Sequence, residues 1–131
     1  MTKIARQVAA LKRACLKLGG DRFQIPGIIE RDLADELHRT DWQSVRGPGK
    51  MVKSVQGIPM ATSQCHQNSA LLALGKKWAM MTGMALSDDG CWRAHSWVID
   101  AHGGVRETTT PRTMYYGVVL DEEATKDILI L

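Results

Sequence analysis

The sequence predicts an α+β domain in which helices come first and an antiparallel β-meander second. Three observations carry this expectation. Apolar residues recur at three- and four-residue steps from Thr2 to Leu18. A helical pattern returns after Pro26 and again from Cys65. From Gly83 onward the period shortens to two, with turn residues between alternating runs.

In order along the chain, Ile4, Val8, Leu11, Cys15 and Leu18 form the apolar stripe of a first helix, with Arg6, Lys12, Arg13 and Lys17 elsewhere on the wheel. Gly19-Gly20-Asp21 stops it. Pro26 suits the first turn of a second helix, which turns Ile29, Leu33 and Leu37 inward and ends near Arg39-Thr40. Arg46-Gly47-Pro48-Gly49-Lys50 reads as a loop, and 51–60 as a flap with a short strand around Val52 and Val55. A third helix is expected from Cys65 to Met81, capped by Thr62 or Ser63 and buried along Leu71, Leu74, Trp78 and Met81. The β part follows as Met84–Ser87, Cys91–Asp100, Val105–Thr109 and Met114–Leu120, then a short acidic terminal segment.

The length of 131 residues supports one domain over 1–131, with a helical part and loop over 1–62 and the candidate core over 63–120. Hydrophobic and charged shares of 44% and 24% are ordinary for a globular chain. A net charge of +3, with no block of like charges, gives no reason to expect nucleic acid as a partner. No run approaches the ~20 apolar residues of a membrane span, and the basic start forms no apolar signal region, so a cytoplasmic protein is expected. Cys15, Cys65 and Cys91 make an odd count without a CxxC, which reads as thiols rather than a disulfide framework. Cys65-His66 with Cys91 and His95 has poor geometry for one zinc site, because neighbours on a helix point ~100° apart. No metal or cofactor is expected.

Chemistry concentrates in Ser63-Gln64-Cys65-His66-Gln67-Asn68 and Trp92-Arg93-Ala94-His95-Ser96-Trp97. A thiol in the first turn of a helix meets unpaired N–H groups and the positive dipole end, which favour thiolate and can hold an oxyanion. Gln64 can add a side-chain donor. His95 shares a strand face with Cys91, Arg93, Trp97 and Ile99, whereas Asp100 points the other way. Glu107 joins His95 on that face only if the intervening hairpin loop has an odd number of residues. Trp97 can wall the imidazole from water and fix its plane. Cys15 belongs to core packing, and His66 and His102 rank below His95. The bland alternatives are a buried small Cys65 and a His95 satisfied in the core.

Cys65 opening a helix, His95-Ser96-Trp97 on a strand and Gly104-Val105-Arg106-Glu107-Thr108-Thr109 on the next resemble the papain-like superfamily, with its transglutaminase-like branch nearest. The resemblance spans Ser63 to about Val119, and Tyr115-Tyr116-Gly117 is similar to small phage-type proteins of that layout. It implies Cys65 as nucleophile, His95 as base and Glu107 as orienting acid. The family more often carries Asp at the third position and Trp where Gln64 stands. The implied activity is cysteine-dependent hydrolysis or acyl transfer at an amide or ester of a protein or peptide substrate. The alternative is a non-catalytic binding module, or an inhibitor of a host protein, on the same fold.

Overall fold

The computed structural model describes residues 2–27, 31–55, 58–59 and 64–130. Ile29, Thr62 and Ser63, to which the sequence assigns roles in helix packing and capping, lie outside the described residues. Helix α1 (Lys3–Leu18) starts at Thr2, whose hydroxyl accepts the Ala5 N–H at 3.1 Å, and ends at Gly19. It buries Leu11 and Cys15 against Leu33, Met84 and Trp92, and the Trp92 indole donates to the Gly19 carbonyl at 2.9 Å. Burial pushes the Cys15 thiol up to about 12, so this cysteine is inert packing.

Of the expected second helix, the described residues show one turn, α2 (Arg31–Ala34), and Pro26 stands outside it. Beyond it the backbone closes three-residue bonds instead, Glu36 N–H to Leu33 and Arg39 N–H to Glu36, each at 3.0 Å. Short strands β1 (Arg22–Phe23), β2 (Gln43–Arg46), β3 (Lys50–Met51), β4 (Ser54–Val55) and β5 (Ile58–Pro59) occupy much of the region expected to be helix, loop and flap. Helix α3 runs from Cys65 to Lys76, five residues shorter than expected. Lys77 takes a left-handed conformation (φ 58°) and turns the chain into β6 (Ala79–Leu86). Asn68, Ser69, Ala70, Leu72 and Ala73 are its buried residues, a face rotated from the expected one, and Met81 belongs to the sheet.

The larger sheet continues with β7 (Cys91–Ile99), β8 (Val105–Glu107) and β9 (Met114–Leu120). Its order is β2-β9-β6-β7-β8-β3, with β1 also on β7. A pure antiparallel meander is therefore not what forms. β6, β7 and β8 do follow one another, but β9 crosses back to the far side of β6, and β3 and β1 add in parallel. The reason lies in β9 itself, where Tyr115 and Val118 are buried on opposite faces, so the strand belongs in the interior of a sheet. The expected acidic terminal segment is helix α4 (Glu122–Leu129), capped by Asp121, whose carboxylate accepts the Ala124 N–H at 2.8 Å.

The two ends of the sheet path, β2 and β3, are separated in sequence by Gly47, Pro48 and Gly49 alone. So short a link spans at most ~14 Å, which forces the sheet to curl until its ends approach. A facing pair of glycines lets the middle bend: Gly83 lies opposite Gly117 on β6 and β9. A Cβ on either would come within 2.2 and 2.3 Å of the neighbouring backbone carbonyl oxygens. Met81, Ala85, Trp97, Val105 and Tyr115 fill the inside of the curl. The other face of the sheet packs α1 near Trp92, and α3 and α4 near Val98. Among the described residues, no helix is long and apolar enough to cross a membrane.

Candidate active site

The site forms along a stretch of the β7 edge that, among the described residues, pairs with no strand. Along that edge β1 pairs with Cys91 and Trp92, and β8 with Val98 and Ile99. The stretch 93–97 between them is met by the start of α3. There His66 Nδ1 lies 2.6 Å from Ser96 Oγ, which itself donates to Thr82 Oγ1 at 2.9 Å. Cys65, the first residue of α3, is thereby held at the same cleft as His95.

The register of β7 and β8 places Val98 opposite Arg106 and Ile99 opposite Val105, leaving a loop of five residues, Asp100 to Gly104. An odd loop puts His95 and Glu107 on one face, inside the curl. Asp100 governs that length without touching the imidazole. Its Oδ1 accepts the N–H groups of His102 and Gly104 at 2.9 Å, and its Oδ2 accepts Arg106 Nε at 2.8 Å. The Arg106 bond, followed by those two N–H groups, draws its carboxyl down to about 2.

Buried His95 Nε2–H donates to both oxygens of fully buried Glu107, at 2.9 and 3.0 Å. That leaves Nδ1 for the Cys65 thiol. Glu107 has further donors around it: Tyr115 O–H at 2.8 Å, and the N–H and hydroxyl of Thr109 at 3.3 Å each. Tyr115 O in turn accepts the N–H groups of Arg112 at 3.0 Å and Gly49 at 3.3 Å. The loop that joins the sheet's ends therefore also grips the residue that holds the carboxylate.

Electrostatics follow from this packing. Burial pushes the Cys65 thiol up, but hydrogen bonds with His66 and His95 outweigh it and bring it down to about 6. Burial works against a charged His95, yet Cys65 and Glu107 together raise it above the ordinary imidazole value. Burial likewise opposes ionised Glu107, while the His95 bond and charge hold it below the usual carboxylate range. The three directions describe a thiolate–imidazolium pair backed by a carboxylate.

Cys65 and His95 open onto a cleft of about 540 Å³ whose wall also includes Thr108, Thr109 and Thr110. A hollow of about 640 Å³ between α3 and α4 is larger but is lined by neither cysteine nor histidine. No match to this chain is found among protein-family models, curated proteins or solved structures.

Of the other residues singled out in the sequence, exposed Gln64 occupies the N-cap position without capping the helix through its side chain. The Cys65 amide has no acceptor within its own helix, as in any first turn. Trp97 is fully buried, its ring centroid 6.1 Å from that of His95 and tilted by 23°, so it backs the imidazole from inside the curl. Cys91 is buried and His102 exposed in the turn. His66, Tyr115 and Thr109 were not foreseen as parts of the site. Adjacency to Cys65 hides His66, which on an ideal helix points elsewhere. Tyr115 reaches Glu107 only because β9 crosses the sheet, a placement that no local pattern announces.

Proposed function

We propose that the chain is a cysteine-nucleophile hydrolase or acyltransferase of papain-like, transglutaminase-like layout, acting on an amide or ester bond. The observation that carries this reading is Cys65 at the start of α3, lining one cleft with His95, whose Nε2 is held by the buried Glu107 carboxylate. The Cys65 thiolate attacks the carbonyl carbon, and the oxyanion that forms faces the Cys65 N–H, with Gln64 as a second donor. Collapse of the tetrahedral intermediate breaks the C–N or C–O bond. The leaving amine or alcohol takes the proton from His95, and the acyl group stays on sulfur as a thioester. Water, or an acceptor amine, then gives a proton to His95 and attacks the thioester. That step releases acid or a new amide and restores the thiolate–imidazolium pair.

Peptide-resolved alkylation with iodoacetamide across pH tests the reading. Cys65 should react with an inflection near pH 6, far ahead of Cys15, whose thiol burial holds near 12. In His95→Ala the Cys65 inflection should move up from about 6 toward the ordinary thiol range, with His66 still holding it below that range. A Cys65 as slow as Cys15 in the folded protein would overturn the nucleophile and leave the binding-module reading in its place.

A further inference from the structure

The wall of the Cys65 cleft has a one-sided charge. Lys53, Arg93 and Arg112 line it together with Met51, Ala94 and the three threonines, and none of its lining residues is acidic. Glu107 lies beneath this wall, fully buried and engaged by His95; its charge is felt by Arg112, but it presents no carboxylate to the cleft surface. Arg93 is paired with Asp89 at 2.8 Å outside the cleft, and Arg112 spends one N–H on the Thr110 carbonyl. Guanidinium carries five donors, so both arginines retain donors for a ligand. Within the same wall the buried Thr108 hydroxyl has no partner among the described residues.

We propose that the acyl substrate carries a carboxylate, held by Lys53, Arg93 and Arg112 while the reacting carbonyl sits at Cys65. The proposal rests on the nucleophile reading and adds the substrate class to it. Cations of this kind fix where the substrate lies and speed its arrival, and their effect weakens with salt.

Two alkylating reagents of similar size separate the two ideas. Iodoacetate carries the carboxylate and iodoacetamide does not, so the ratio of their rates at Cys65 reads the cleft's charge, with the thiol of glutathione as reference. The ratio should exceed the glutathione ratio at low salt. It should fall roughly twofold in Lys53→Gln, whose charge is exposed, and by somewhat more in Arg112→Gln, which is half-buried. Fast iodoacetamide reaction with a ratio equal to that of glutathione, unmoved by either substitution, would overturn the carboxylate site and leave the nucleophile standing. Slow reaction with both reagents would overturn the two together. Protection of Cys65 from iodoacetamide then distinguishes the carboxylate's source. A capped glutamate peptide protects if the site takes an acidic side chain, and a peptide with a free C-terminus protects if it takes a chain end. Protection by neither, at concentrations where their charge-free amides also fail, would count against the proposal.

Discussion

Glu107→Gln should lower the alkylation rate of Cys65 near pH 6 by roughly 10-fold, because His95 loses the carboxylate that favours its charged form while His66 still draws the thiol down. Every neighbour of this side chain donates a hydrogen bond: His95 Nε2–H, Tyr115 O–H, and the N–H and hydroxyl of Thr109. Only an acceptor on both oxygens satisfies that set. Gln places an NH₂ group against Tyr115 in one orientation and against Thr109 in the other. Tyr115 cannot relieve the conflict by turning, since its oxygen already accepts from Gly49 and Arg112. A frustrated buried group of this kind costs about 1–3 kcal/mol, readable as a lower urea midpoint. Unchanged Cys65 kinetics in a folded Glu107→Gln protein would show that the carboxylate does not polarise His95.

The pH dependence has a defined sign. Glu107 is held below its usual range, so its stabilising contribution is present at neutral pH and disappears as pH falls through that lowered value. His95 is raised, so its contribution is complete below the ordinary imidazole value and disappears as pH rises through the raised one. Cys65, brought down to about 6, favours the folded state increasingly from there upward to the ordinary thiol range. The network is therefore most intact in the window between loss of the carboxylate and loss of the imidazolium.

The second large effect is on stability. Gly117→Ala should destabilise the protein by about 3 kcal/mol, at the upper end of overpacking costs. Its Cβ would lie 2.3 Å from the Thr82 carbonyl oxygen and 2.7 Å from Cη2 of Trp97. The first obstacle is backbone in a strand paired on both sides, and the second is a fully buried ring, so neither yields. Gly103→Ala supplies the control. Nothing lies within 4 Å of its Cβ, and only the positive φ of 81° is penalised, at about 1–2 kcal/mol. Equal losses in denaturation midpoint for the two variants would mean that the curl does not depend on the close approach of β6 and β9.

Much of the local structure was legible because it is encoded locally. Helix α1 and the hairpin of β7 and β8 follow from periodicity and turn residues near one another in sequence, but the parity of their loop, which sets His95 beside Glu107, does not, and it is settled by the five residues from Asp100 to Gly104. The boundary between α3 and β6 was not legible, since Trp78 and Met81 continue the apolar helical spacing of Leu71 and Leu74 past Lys77, whose left-handed turn ends the helix. Helix α4 carried a signal that went unread, namely Asp121 as cap with Glu122 and Glu123 in the first turn. The position of β9 and the grip of Tyr115 on Glu107 depend on a crossover in the sheet. Contacts so distant in sequence leave no periodic trace.

The crossover also gives the molecule an order in time. Cys65, His95 and Glu107 all precede Tyr115 in the chain, and Tyr115 sits on the strand that enters between β2 and β6. A growing chain therefore exposes nucleophile, base and acid before it has the residue that anchors the acid. If Tyr115 anchors Glu107 for the proposed chemistry, such a chain should gain a reactive Cys65 only when β9 docks. Pulsed iodoacetamide during refolding should find rapid Cys65 labelling returning in the same phase as amide protection of β9, and labelling that returns sooner would break the link. Synthesis would then release a working thiol only as the fold is completed.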